Sequence, residues 1–284
     1  MVFRIQRKYF KGFRNVEKSG TVSGPQFKVS TPVKTQIASA FGLKARYYDA
    51  NAFIQKELLS RLDFQLIENS PEKIWADLGC GTGMSVELLR QKGICCQVLG
   101  IDIAFESLRI LKSRKLQNSF SLSGDIEHPP LKNNSLDGAI LASVLQWFSE
   151  PSAVLKSISG LLKNRGILLF ASFTEGSFFE LNSIKKELDL PIPVFLPGQK
   201  DLCGFLREAG FTILNADIFV NTLYFPTAFK LLKNLSAIGG TAVSGNRMSR
   251  SALFDFCRKF EENFQSDKGV PLSYKALIGS ARKG

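Results

Sequence analysis

The sequence predicts an α/β fold, a mostly parallel sheet with helices on both faces, and three of its features lead there. Short apolar segments alternate with amphipathic ones between residues 74 and 173, a glycine-rich turn follows the first apolar segment, and acids close the next two. Strands that are apolar on both faces run parallel only when crossover helices cover them. In chain order, Ile37, Ala40, Phe41, Ala52, Phe53, Leu58, Leu59 and Leu62 recur at helical spacing, which predicts two helices within 33–62 and a polar elbow at Arg46-Tyr47-Tyr48-Asp49. Strands follow over 74–78, 95–101, 120–122, 138–141 and 166–173, with helices up to 91, over 105–113 and over 153–162 between them.

Beyond residue 173 the rhythm breaks. The stretch 174–198 is long and rich in Phe and Pro, and a helix near 202–209 and a strand over 211–219 follow it. A second long stretch, 224–267, holds helical patterns at 229–235 and 253–264, and the chain closes on a strand-like 272–281. Ligands of open α/β sheets bind at the carboxyl ends of the strands, so both long stretches are expected to cap that crevice. The expected organisation is a basic arm over 1–32 and a single domain over 33–284, with lid helices in 33–62 and caps near 174–198 and 224–267.

Charge and cysteines narrow the functional classes. The 284 residues carry 37 Lys and Arg against 25 Asp and Glu, a net +12. Residues 1–34 hold eight of the basic residues and one acid, Glu17, a surplus of +7, so the remaining 250 residues are only +5. Such a body lacks the dense basic surface of a nucleic-acid binder. Cysteines at 80, 95, 96, 203 and 257 form no CxxC pair, which suggests neither a zinc site nor a disulfide framework and suits a reducing, cytoplasmic setting. No window reaches the ~20 apolar residues of a membrane span. The acid-poor N-terminus reads equally as a disordered arm or as an organelle transit peptide, which would make the protein mitochondrial.

The chemistry lies in Asp77-Leu-Gly79-Cys80-Gly81-Thr-Gly83, between a strand and a helix, where glycines let the backbone and helix N–H groups approach a nucleotide. Asp102 ends the second strand 19 residues past Gly83, where a carboxylate takes both ribose hydroxyls. Asp125 ends the third, suited to an adenine amine, with Ile126 to pack on the ring. Three acids at successive strand ends describe a nucleoside pocket.

These motifs, DLGCGTG, then GID, then GDI, resemble the class I S-adenosylmethionine-dependent methyltransferases. The resemblance implies a Rossmann-like, seven-stranded sheet with an antiparallel last strand. It also implies S-adenosylmethionine held by Asp77, Gly79, Cys80, Gly81, Gly83, Asp102, Ile103, Asp125, Ile126 and Leu141. A narrower likeness, to the malonyl-acyl-carrier-protein O-methyltransferases of biotin synthesis, rests on Ala45-Arg46-Tyr47-Tyr48-Asp49-Ala50-Asn51-Ala52, on Leu145-Gln146-Trp147, on 225–240 and on 271–282. One departure is visible: relatives often show Ser-Asn where this chain has Leu141-Ala142. That likeness implies a malonyl group on an acyl carrier protein, or malonyl-CoA, as methyl acceptor, and neither metal nor nucleic acid as partner. A methyltransferase of the same fold acting on another small acid or ring, or an assembly-factor relative of respiratory complex I, stays open beside it.

A malonyl carboxylate, with a pKa near ~4, is ionised at neutral pH and needs no general base. The sole histidine, His128, precedes Pro129-Pro130 and reads as a surface loop residue. Tyr48 in the lid, and Gln146 and Trp147 beyond the fourth strand, are the expected catalytic-side residues. Arg46, Arg247 and Arg250 are the candidates for binding the acceptor carboxylate.

Overall fold

A computed structural model of the chain describes residues 32–188, 196–240 and 249–284. The basic arm up to residue 31 and Arg247 lie outside the described residues. The elements are α1 (Pro32–Asn51), α2 (Phe53–Ser60), β1 (Ile74–Leu78), α3 (Met84–Gln91), β2 (Gln97–Asp102), α4 (Phe105–Ser113), β3 (Ser119–Ser123) and β4 (Leu136–Ala142). There follow α5 (Pro151–Leu161), β5 (Leu162–Phe173), α6 (Phe179–Leu188), α7 (Gln199–Glu208), β6 (Phe211–Phe225), α8 (Ala228–Ala237), α9 (Arg250–Phe264) and β7 (Val270–Lys283).

The sheet has seven strands in the order β3-β2-β1-β4-β5-β7-β6. The first five are parallel, and β7 runs antiparallel to both β5 and β6. Chain order reverses beside β1, so the carboxyl ends of β1 and β4 flank the crevice where such sheets bind ligands. All five residues of β1 are buried. Alternate side chains go to opposite faces: Trp75 joins the core with α2, α3, α4, α8 and α9, whereas Ile74, Ala76 and Leu78 join the core with α5 and α7. Backbones are close where β4 crosses Trp75, since a Cβ on Gly138 would sit 2.5 Å from the indole ring.

The main departure from the sequence expectation lies at the start. No elbow breaks the chain at 46–49; α1 runs unbroken to Asn51, and the break falls at Ala52. Ile37, Phe41, Ala45 and Tyr48 share the inner face of this helix, Arg46 and Tyr47 point to solvent, and Asp49 is satisfied by partners on other elements, so polarity here marks a face and not an interruption. The other difference is length. The strand expected over 211–219 continues to Phe225, because β7 offers a partner along its whole course.

Among the described residues no helix is long and apolar enough to cross a membrane.

Candidate active site

A cavity opens at the carboxyl ends of β1, β2, β3 and β4, where ligands of open α/β sheets bind. Its floor is the turn after β1. Gly79 and Cys80 donate to the Ile101 carbonyl at 2.8 and 3.1 Å, which folds the turn across β2. Gly79 takes φ +77°, and a Cβ there would lie 2.6 Å from Val144 Cγ2. Gly81, at φ +52°, faces the cavity, and a Cβ on it would meet no protein atom within 4 Å. That open space is room for a ligand to lie against the backbone.

Asp102 Oδ2 accepts from the Gly81 N–H at 2.7 Å and Oδ1 from the Ala104 N–H at 2.7 Å. Burial raises its pKa and those backbone donors lower it, with the net shift upward. A carboxylate has about four acceptor positions, so ribose hydroxyls still find a place on it. Ile103 lines the wall beside Asp102, and Asp125 and Ile126 line it at the end of β3. Asp125 Oδ1 accepts from the Glu127 N–H at 3.0 Å, and Oδ2 from Lys34 Nζ at 2.5 Å. Lys34 also pairs with Glu127.

The opposite wall comes from α1 and from the loop after β4. Phe41, Tyr48, Ser143, Val144, Trp147 and Phe148 line it, and Trp147 meets Phe41 edge to face at 5.5 Å between ring centres. Burial pushes the Tyr48 phenol well above its usual pKa, and the charges of Asp102 and Asp49 push the same way, so it stays a neutral O–H. A clip holds α1 to the floor: Thr82 Oγ1 donates to Asp49 Oδ1 at 2.5 Å, and Arg114 pairs with Asp49 and Glu87 while donating from Nε to the Thr82 carbonyl at 2.8 Å.

Of the residues expected at the site, the cavity wall therefore holds Tyr48, Gly79, Gly81, Asp102, Ile103, Asp125, Ile126 and Trp147. Asp77, Cys80, Gly83, Leu141 and Gln146 stand behind it. Asp77 is buried below the turn and accepts from Ser85, and burial raises its pKa to about 7, the Ser85 bond opposing and Asp102 adding to the rise. The Cys80 thiol is buried and kept protonated, packed where a Cβ on Gly100 would approach its sulfur to 2.8 Å. Gly83 caps α3 at φ +86° and admits Leu111, whose Cδ1 would lie 2.3 Å from a Cβ. Leu141 points into the core beneath β4, and Gln146 turns back to donate to the Ser143 carbonyl at 2.8 Å. His128 is exposed, as expected of a loop residue.

Among the described residues, no Arg or Lys lines the far wall. Arg46 is exposed in a groove between α1 and α4 on the outer side of the lid helix, and Arg250 is exposed at the start of α9. The cation among the described lining residues is Lys34, which the sequence groups with the arm; its spacing of three from Ile37 and seven from Phe41 puts it on the same helix face. The described parts of 174–198 and 224–267 line none of the cavity. The second of them braces the lid instead, with Asn234 of α8 donating to the Asn51 carbonyl at 3.2 Å and Gly239 packed on Phe41.

Residues 76–170 match a family described as methyltransferase domain. A malonyl-[acyl-carrier protein] O-methyltransferase of Yersinia pestis is 31% identical over 254 residues, 87% of this chain and 90% of that protein. One of Serratia marcescens is 30% identical over 87% of this chain and 94% of that protein. Among solved structures, a Haemonchus contortus phosphoethanolamine N-methyltransferase in complex with S-adenosyl-L-methionine superposes with a TM-score of 0.57 at 14% identity, covering 90% of this chain and 61% of that one. With two relatives at 30% identity or above along nearly their whole length, this chain belongs to the malonyl-[acyl-carrier protein] O-methyltransferase family.

Proposed function

We propose that the protein transfers a methyl group from S-adenosylmethionine to the free carboxylate of malonyl carried on an acyl carrier protein, or on coenzyme A, giving the malonyl methyl ester that primes pimeloyl synthesis for biotin. Family membership gives the reaction. The observation that supports it in the molecule is the cavity itself, a glycine floor with an open face at Gly81, two acids at strand ends and an aromatic far wall.

The residues present fit the cofactor. Asp102 would take the ribose, Asp125 and Ile126 the adenine, and Gly79 and Gly81 the chain between. When bound, the cofactor supplies an activated methyl on a positively charged sulfur. Everything else falls to the protein: the negative field of Asp77 and Asp102 favours a cationic ligand, and Tyr48, Phe41 and Trp147 exclude water and orient the acceptor. The carboxylate attacks as it stands, which agrees with a cavity wall that holds no histidine. The basic residues Lys230 and Lys233, exposed on α8 beside the lid, suit an acidic carrier. A cytoplasmic location accords with these substrates.

The test is transfer of a labelled methyl group to purified carrier protein. Label on the malonyl form and none on the acetyl form is expected; label on both, or on neither, overturns the proposal.

A further inference from the structure

The far wall holds a side chain whose state nothing so far explains. Ser143, directly after β4, has φ +57°, a left-handed conformation costly for any residue with a Cβ. Such outliers persist where the surroundings over-determine them, and they cluster at ligand sites. Here the surroundings are two hydrogen bonds, from the Ser143 N–H to the Ala171 carbonyl at 2.7 Å and from Gln146 Nε2 to the Ser143 carbonyl at 2.8 Å. Both backbone groups are thus spent on holding the residue, and the hydroxyl is left over. Ser143 Oγ has almost no accessible surface and no hydrogen-bond partner, while the residue itself lines the cavity, so a turn about χ1 brings the hydroxyl to the ligand space. Among the described residues that line the cavity, no other side chain has a buried, unpaired oxygen or nitrogen.

Its position gives the occupant. Crossing the sheet from β3 to β4, the cavity passes Asp125, then Asp102, then the glycine turn, then Ser143. A nucleoside at the first two puts the reactive end of the ligand toward the last. The acceptor carboxylate must meet it there, and a carboxylate needs hydrogen-bond donors. Lys34 is engaged by Asp125 and Glu127 at the other end and the Thr82 hydroxyl by Asp49, which leaves Ser143 beside the Tyr48 phenol and the Trp147 N–H as the donors of this wall, Ser143 being the one with a buried, unpaired atom.

We propose that the Ser143 hydroxyl is the donor that binds the carboxylate oxygen not undergoing methylation. The assignment rests on the malonyl reading above. A neutral donor suits the step: the attacking oxygen gains a methyl through a new C–O bond as the sulfur–methyl bond breaks, its negative charge and the sulfur's positive charge cancel, and Ser143 keeps its proton throughout. The product ester is a weaker acceptor than the carboxylate, so the same hydrogen bond that selects the substrate loosens on the product.

Ser143→Ala and Ser143→Gly in the full chain test this, the glycine variant removing the hydroxyl while relaxing the backbone. Initial rates against malonyl-carrier concentration and calorimetric binding of S-adenosylhomocysteine are measured for each. Both variants are expected to raise the acceptor KM about tenfold, the cost of one hydrogen bond to a charged group, with S-adenosylhomocysteine affinity within about twofold of wild type. An unchanged KM in both variants overturns the assignment, as does a parallel loss of S-adenosylhomocysteine affinity, which would give the hydroxyl to the cofactor. A loss in the alanine variant alone overturns it in favour of backbone strain. Wild-type protein inactive on malonyl-carrier overturns the function reading itself, an outcome distinct from all of these.

Discussion

At the end of the cavity proposed for the nucleoside, Asp102 closes β2 and Asp125 lies two residues past β3, and backbone N–H groups within two residues of each help to fix them. At the far end, Phe41 and Tyr48 come from α1 and Ser143 and Trp147 from the loop after β4, and they meet through ring packing and through the Asp49–Thr82–Arg114 clip. The first end is built from local geometry on a rigid sheet. The second is built from contacts between distant segments, and it moves if α1 moves. On the proposed reading, the cofactor end is rigid, while the wall that meets the acceptor rests on a helix held by packing and by the polar clip.

Four perturbations separate the two ends. The largest effect is expected from Asp102→Ala, which removes the proposed ribose acceptor and frees the Gly81 N–H. S-adenosylhomocysteine affinity measured by calorimetry should fall about 100-fold, the worth of two hydrogen bonds to a charged group. A fall of less than tenfold would mean that the strand-end acids do not dominate that end.

Next comes pH. Folding raises the Asp77 pKa from 3.8 to about 7, so its contribution to stability is full below about pH 4 and is lost as pH rises through 7. A ligand carrying an ammonium group favours the ionised carboxylate, so its affinity should grow about tenfold from pH 6 to pH 8. In Asp77→Asn that slope should vanish, and the fall in denaturant midpoint between pH 5 and pH 8 should shrink with it. A slope that survives the substitution places the titrating group elsewhere.

Trp147→Phe keeps an aromatic face against Phe41 but removes the indole N–H. The acceptor KM should rise about fivefold with S-adenosylhomocysteine affinity unchanged, and equal losses in both would dissolve the distinction between the two ends. The smallest effect is expected from Arg114→Met, which cuts the clip joining them. KM for both reactants should rise two- to threefold together, since α1 loses an anchor that both ends share.

How far the sequence reaches follows the same division. The parallel sheet, the glycine turn and the acids at 102 and 125 were legible because strand length, crossover length and ligand geometry set their spacing. Asp77, Gly83 and Leu141 were readable as motif members but not as residues behind the wall, since depth beneath a surface leaves no mark on spacing. Arg46 and Tyr48, two residues apart, looked alike as lid candidates; one faces the groove outside and the other the cavity. Lys34 was read with the basic arm because composition counts charge without direction. For that reason a truncation that spares the domain must stop before Pro32, where α1 begins.

The sequence by itself determined the order of strands and helices, the glycine turn that floors the cavity and the family to which the chain belongs, because these depend on short-range spacing and on periods of two and 3.6 residues. The tertiary structure alone decided that α1 is one helix, that it and not the described parts of the later insertions lines the cavity, and that Ser143 is left with an unpaired hydroxyl in its far wall. Those outcomes depend on which distant groups meet and satisfy one another, and a chain read in order carries no record of that.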